Sequence, residues 1–433
     1  MSATPHPQWP LRIFAWIGFA FISMNIGLGK SEPWSAIPFA RVLWAFTWFL
    51  SFVALFTNWG ERIGAFLIRV AGSLPGRAAI LLWIAGLMLL SWKKFSPLGY
   101  EFPIAHLVLC ASALPFLRRT WLPFALNIAL LLASILHFPL NYHRSDMLKV
   151  IELSLDNWTL FKPIYVYHAL DWPSIAHYFP LIFVSHLPAW TAGIDLRWNT
   201  VLWRLVWFIP LYFRIYGRPK TKTPPWADSL LFILLLNPYW TFRHELYFEI
   251  YLCFIVGSWL LPRAGDALLG LSMWTRNFVI LFLPFLLLRK LRDRRWREIA
   301  ALLFGFALGA VMVYRFFLPE DWRGWWRANN FFITIMNKPS FQGDYGLTVA
   351  PFLFKAEIQK YSMYLQFFGG ALLGLFALRF RRIPELVFAT AGIAWFLGLN
   401  VMFWNYFLIS QVLWIGIGLL IRPELFRDNS NVL

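Results

Sequence analysis

The residues best placed for chemistry open a polar stretch directly after a long apolar run: Asn141-Tyr142-His143-Arg144-Ser145-Asp146, with Met147 to Trp158 continuing at helical spacing. An aspartate just beyond a span, at the entrance of an interfacial helix, is positioned to act as a general base on a hydroxyl attacking an activated carbon. The same residues also read as helix caps, because Ser145 and Asp146 are good N-cap types and a carboxylate there complements the helix dipole. Farther along, Lys162-Pro163-Ile164-Tyr165 leads to His168, Asp171 and His177. Three such groups so close together raise the question of a metal, but their spacing matches no tight motif and a hard cation wants more carboxylates. No metal is expected, and wet interfacial histidines are the plainer reading.

A second group lies at Arg243-His244-Glu245, with Glu249 four residues on and on the same helix face. Arg243 and His244 suit a lipid phosphate, since charge-assisted contacts from arginine match that oxyanion. An ordinary interface cap with snorkelling ends is the alternative. Arg276, between Thr275 and Asn277, falls where two short apolar segments join, and an ionisable residue at depth is a functional hypothesis by default. Between 318 and 360, Arg323, Arg327, Asn337, Lys338, Asp344 and Tyr345 offer further phosphate or sugar contacts. There is no Gly-rich phosphate loop, GxSxG elbow or HExxH helix. His106 and His137 have no histidine at i+3 or i+4, so neither haem nor any other cofactor is expected.

The elements that must hold these residues are apolar helices. Hydrophobic residues make up 59% of the 433, charged residues 14%, and the mean hydropathy is +0.58. Several stretches of about twenty residues carry few charges, the length needed to cross a hydrocarbon core of roughly 30 Å. The runs are continuous rather than alternating, which favours helices over a barrel. The expected fold is therefore all-α: a polytopic transmembrane bundle of about fourteen spans. Spans are placed at 11–29, 36–57, 79–92, 104–117, 121–139, 197–215, 226–242, 246–261, 265–277, 278–289, 299–317, 361–378, 385–402 and 405–421. The pair within 265–289 is short enough to be one kinked unit or two half-helices. The first run lacks a small-residue cleavage site and reads as a span.

Basic clusters at Arg62 to Arg77, Arg118-Arg119, Arg218 to Lys222, Arg289 to Arg297 and Arg379 to Arg382 mark one face as cytoplasmic. Both termini then fall on that face, and residues 141–196 and 318–360 become outer loops. The segment 174–190 is apolar but broken by Pro180 and Pro188, and an interfacial helix there preserves the charge rule. The 39 basic and 21 acidic residues give a net charge of +18. Because those cations collect in short loops, lipid rather than nucleic acid is the expected partner. Cys110 and Cys253 lie inside apolar runs, against a disulfide framework. The 26 tryptophans exceed an aromatic belt and suit stacking on a sugar or packing against lipid.

The order of these pieces resembles membrane glycosyltransferases of the GT-C fold, in particular bacterial mannosyltransferase-like proteins that use a polyprenyl-phosphate sugar. The resemblance rests on Asp146 after a span, Phe161-Lys162-Pro163-Ile164-Tyr165, and Tyr178-Phe179-Pro180-Leu181 through Pro188. It continues through Gly193-Ile194-Asp195-Leu196-Arg197, then Leu236-Asn237-Pro238 with Arg243-His244-Glu245, Leu268-Leu269-Gly270-Leu271 to Arg276-Asn277, and Asn405-Tyr406-Phe407. Glu245 stands where the family usually has aspartate, and Arg276 where lysine is common. The resemblance covers a core of 119–433 and leaves 1–118 as a separate block of about four spans.

It implies an inverting transfer at the outer face of a bacterial inner membrane, from a polyprenyl-phosphate sugar to a lipid or glycan acceptor. Asp146 would be the base; Arg144, His168, Arg243, His244, Glu245, Arg276, Lys338 and Tyr345 would bind substrate. The rival readings are a non-catalytic subunit of a larger membrane complex, with a partner on the N-terminal helices, and a transporter. The transporter reading suffers from the lack of an internal repeat.

Overall fold

The computed structural model describes residues 8–26, 38–91, 101–137, 146–169, 173–175, 180–217, 226–237, 249–276, 279, 282–316, 320–327, 362–380, 383–399 and 404–426. They form an all-α fold. The first block is α1 (Trp9–Ile26), α2 (Pro38–Phe56), α3 (Asn58–Gly72), α4 (Leu74–Ser91) and α5 (Glu101–Ala113). After α6 (Leu122–His137) come α7 (Asp146–Thr159), a small clip of β1 (Tyr167–Ala169) and β2 (Pro173–Ile175), and α8 (Pro180–Thr191). The remainder is α9 (Trp198–Tyr216), α10 (Ala227–Leu235), α11 (Glu249–Leu260), α12 (Gly265–Ser272), α13 (Leu283–Arg292) and α14 (Trp296–Phe316). A helical segment at 320–327 precedes α15 (Ser362–Arg379), α16 (Glu385–Leu399) and α17 (Trp404–Ile421).

Most expected spans correspond to one helix with shifted ends. For 226–242, the described helix is the nine-residue α10, and 238–242 lies outside the described residues. Among the described residues, one helix, Trp296–Tyr314, is by itself long and apolar enough to cross a membrane.

One segment differs from the sequence expectation, and a second takes one of the two forms left open. The basic stretch from Arg62 is helix rather than loop: α3 places Glu61 against Arg12 of α1 at 2.7 Å, with Asn58 also accepting from Arg12. Its charges recur on one face of an amphipathic helix, so cationic clustering did not mark a turn there. The turn comes at Ser73, whose hydroxyl accepts from Gly76 N–H, and the chain bends by 87° between α3 and α4.

The second segment is 265–289, which forms two short helices. α12 has eight residues and α13 ten, roughly 12 and 15 Å of helix, so neither crosses a bilayer alone. Lys290, at the end of α13, is 2.8 Å from Asp266 at the start of α12 and also pairs with Glu298 at the start of α14. The end of α13 therefore lies beside the start of α12, so the two short helices form a hairpin, with Arg276 after α12 on the side away from that ion pair. α14 runs parallel to α12 at close approach: a Cβ on Gly305 would sit 1.9 Å from Ala267 O, and one on Gly270 2.1 Å from Leu302 O. Only glycine lets these backbones meet.

The main core joins the N-terminal block to the rest. Trp16 and Ile17 of α1 belong to one buried cluster with Trp207, Tyr251, Phe388 and Trp414. Trp414 stacks on Phe282 at 3.9 Å and on Trp259 at 5.0 Å. Trp48 of α2 donates to Ala394 O of α16 at 2.8 Å. Residues 1–118 thus share a core with 119–433.

Candidate functional site

A second buried cluster forms a cap centred on α7 and α8. α7 buries Leu148, Ile151 and Leu155, one helical stripe, against Leu181 and Phe183 of α8. The helix ends at Phe161, whose φ of 52° places a non-glycine residue in the left-handed position, while Lys162 N–H donates back to Asn157 O. The chain then turns inward. Ile164 and Tyr165 N–H both donate to Asp321 Oδ1, at 2.7 and 3.3 Å. Asp321 is buried, so the helical segment at 320–327 is clamped to the turn after α7 through a carboxylate and two backbone donors. Tyr165 packs edge-on against Phe183, and burial together with Asp321 holds its phenol well above the ordinary range.

His168, on β1, shares a 3.1 Å hydrogen bond through Nε2 with Ser154 of α7. Burial lowers its pKa, partly offset by a hydrogen bond to the Ile164 carbonyl. This ring is turned into the cap and clasps the β1–β2 clip to α7.

α8 is buried along most of its length, consistent with an element covered on both sides. His186 donates through Nδ1 to Ile182 O, and Asn199 donates to the His186 carbonyl. Burial pushes the His186 pKa down to about 4 against that hydrogen bond, so the ring is neutral at ordinary pH. The helix stops at Gly193, with φ of 63°, and Ile194 N–H returns to Ala189 O. Asp195 accepts from the backbone and side chain of Arg197, whose guanidinium is buried. The run Gly193-Ile194-Asp195-Leu196-Arg197 is therefore a cap and turn that hands α8 on to α9.

Beneath α8 lies an apolar cavity of about 480 Å³. Val184 and Leu187 of α8, Trp203 of α9, Phe254 of α11, Leu271 of α12 and Met312 of α14 line it. The segment after α12 meets its roof: Leu181 N–H, at the start of α8, donates to Trp274 O at 3.1 Å. Arg276 follows two residues later, half-buried and within electrostatic reach of Tyr251. Gln411 of α17 donates to the Tyr251 hydroxyl at 3.2 Å.

Of the sequence-derived set, Asp146 opens α7, and its side chain lies outside the described residues. Arg144, Arg243, His244, Glu245, Lys338 and Tyr345 lie outside them altogether. His168 and Arg276 belong to different parts of the site, the first inside the cap and the second at the hairpin tip. The Arg204–Glu249 pair was not singled out. Arg204 Nη2 is 2.6 Å from Glu249 Oε1, Arg204 also donates to Asn127 Oδ1 at 2.9 Å, and Trp207 donates to Glu249. Arg204, a cation in the middle of the apolar run of α9 rather than at its end like Arg214, was the available signal. Among the described residues no cluster of His, Cys, Asp or Glu forms a metal site, and Cys110 and Cys253 are free thiols. Compared with known protein families, with curated proteins and with solved structures, the chain matches none of them.

Proposed function

We propose that this chain is a multi-pass membrane glycosyltransferase that moves a sugar from a polyprenyl-phosphate donor to an acceptor hydroxyl at the outer face. The observation that carries the reading is the apolar cavity roofed by α8 with the arginine-bearing hairpin tip at its flank. A hydrocarbon-lined space beside a cation matches the two halves of a lipid phosphate. The membrane setting is supported by broad exposed apolar faces, among them Phe304 and Val311 of α14 and Phe367, Phe368 and Leu375 of α15.

In this reading the isoprenoid chain occupies the cavity and Arg276 faces the phosphate. Asp146 takes the acceptor proton as the acceptor oxygen bonds to the anomeric carbon. The carbon–oxygen bond to the phosphate breaks, and the electron pair leaves with the polyprenyl phosphate. One base and no enzyme nucleophile give inversion. Arg243, His244, Lys338 and Tyr345 complete the proposed binding set, and the chain lies in the inner membrane with both termini cytoplasmic.

The test is transfer of radiolabelled sugar from a panel of polyprenyl-phosphate donors, comparing the purified chain with Asp146→Asn. Transfer by the wild type and a loss of at least about a hundredfold in the variant, with folding intact, supports both enzyme and base. Transfer equal in the two removes Asp146 from the mechanism. No transfer across the panel moves the reading to a non-catalytic membrane subunit.

A further inference from the structure

The cytoplasmic-side corner where α13 turns into α14 carries more cations than it has acids to balance them. Asp293 is held by Arg289 and Arg292, and Glu298 by Lys290 and Arg295. That leaves Arg294 and Arg297 exposed with no acidic partner among the described residues, on either side of Trp296, which is 61% exposed. Arg292 donates to Ala377 O, which brings the last turn of α15, with exposed Arg379 and Phe380, to the same corner.

The spacing beyond these arginines is informative. On α14, Arg297 shares a face with Phe304, Leu308 and Val311, at i+7, i+11 and i+14. On α15, Arg379 shares a face with Leu375, Leu372 and Phe368, at i−4, i−7 and i−11. All six apolar side chains are exposed. Both helices pack against α13, and each begins or ends at the corner. Each helix therefore presents a cation at the corner and an exposed apolar stripe running away from it. A free phosphate or an acidic peptide would use the charges and leave the stripes unmatched. An amphiphile with an anionic head and hydrocarbon tails uses both.

We propose that this corner is a binding site for an anionic phospholipid, with the head phosphate at Arg294, Arg297 and Arg379, Trp296 and Phe380 at the head–tail boundary, and the acyl chains along α14 and α15. The site is separate from the cavity under α8 and shares only the membrane setting with the transfer reaction. Recognition is by charge and apolar contact together, the combination that holds anionic lipid at the rim of a membrane protein.

The test uses the full chain purified in neutral detergent, titrated with dioleoyl phosphatidylglycerol or dioleoyl phosphatidylcholine and read by native mass spectrometry. The anionic lipid is expected to bind at least about tenfold more tightly. Replacing Arg294, Arg297 and Arg379 together by Gln removes most of that preference, while replacement by Lys retains it. All three side chains are exposed, so the variants keep the buried core. Equal binding of the two lipids, or a preference untouched by the Gln variant, overturns the proposal. Glycerol phosphate competing as well as the lipid also overturns it, because the stripes would then be idle. Alkaline carbonate extraction reads membrane residence separately, so failure of the membrane reading and failure of this site give different results.

Discussion

Two charged assemblies hold this molecule together, and they do so under opposite conditions. In the interior, Arg204 and Glu249 are almost wholly removed from solvent, and Asn127 and Trp207 take up further hydrogen-bonding capacity. At one end of the bundle, Lys290 bridges Asp266 and Glu298, whose side chains keep 18% and 32% exposure. The interior pair ties helices far apart in sequence, the rim cluster three successive ones. The interior pair joins α6, α9 and α11, while the rim cluster closes the base of the α12–α13 hairpin against α14. The difference lies in what happens when one partner is removed. A stranded charge in the interior has no water to turn to, whereas one at the rim does.

That contrast predicts a graded series. Glu249→Ala should cost roughly 3–5 kcal/mol, because Arg204 is left buried and charged. Arg204→Met with Glu249→Met should recover much of the loss. The comparison, by thermal unfolding in detergent, collapses if Glu249→Ala is no worse than a rim substitution. Next, Gly305→Val should cost about 1–3 kcal/mol by forcing α14 away from α12. A full loss of fold there would mean that helix contact, not the Lys290 cluster, holds the rim. Lys290→Met should cost only about 1 kcal/mol, since water screens the two carboxylates it leaves behind.

The smallest effect belongs to His168. Its folded pKa is below the ordinary 6.5, so the unfolded chain binds the proton more readily. The cap should lose stability as pH falls below about 6.5, a trend His168→Asn should weaken, leaving the share that buried His186 contributes. Hydrogen exchange of the 146–175 amides would measure it. Equal acid sensitivity in the variant would point to another group.

Much of the helical content was legible because it is written locally. Long apolar runs such as those of α9, α14 and α17 can only be helices buried in protein or lipid. Where the reading failed, a local signal had two meanings. Arg62 and Arg69 looked like a loop because cations usually mark one, yet at seven residues apart they lie on one helical face. The short runs at 265–289 were open between a kinked unit and two half-helices, and the contact of Lys290 with Asp266 chose the second. In the candidate site, Arg276 was visible as a lone cation between apolar segments. The inward turn of His168 was not, since its partner Ser154 is an unremarkable helix residue in the sequence.

By itself, the sequence determined the helical class, because an apolar run depends on residues within a few positions of each other. Only the tertiary structure decided that Arg204 meets Glu249, that Asp321 holds the backbone of Ile164 and Tyr165, and that five helices leave an apolar cavity beneath α8. Those pairings join residues tens to more than a hundred positions apart, where packing alone selects among many charges and apolar faces that look equivalent along the chain.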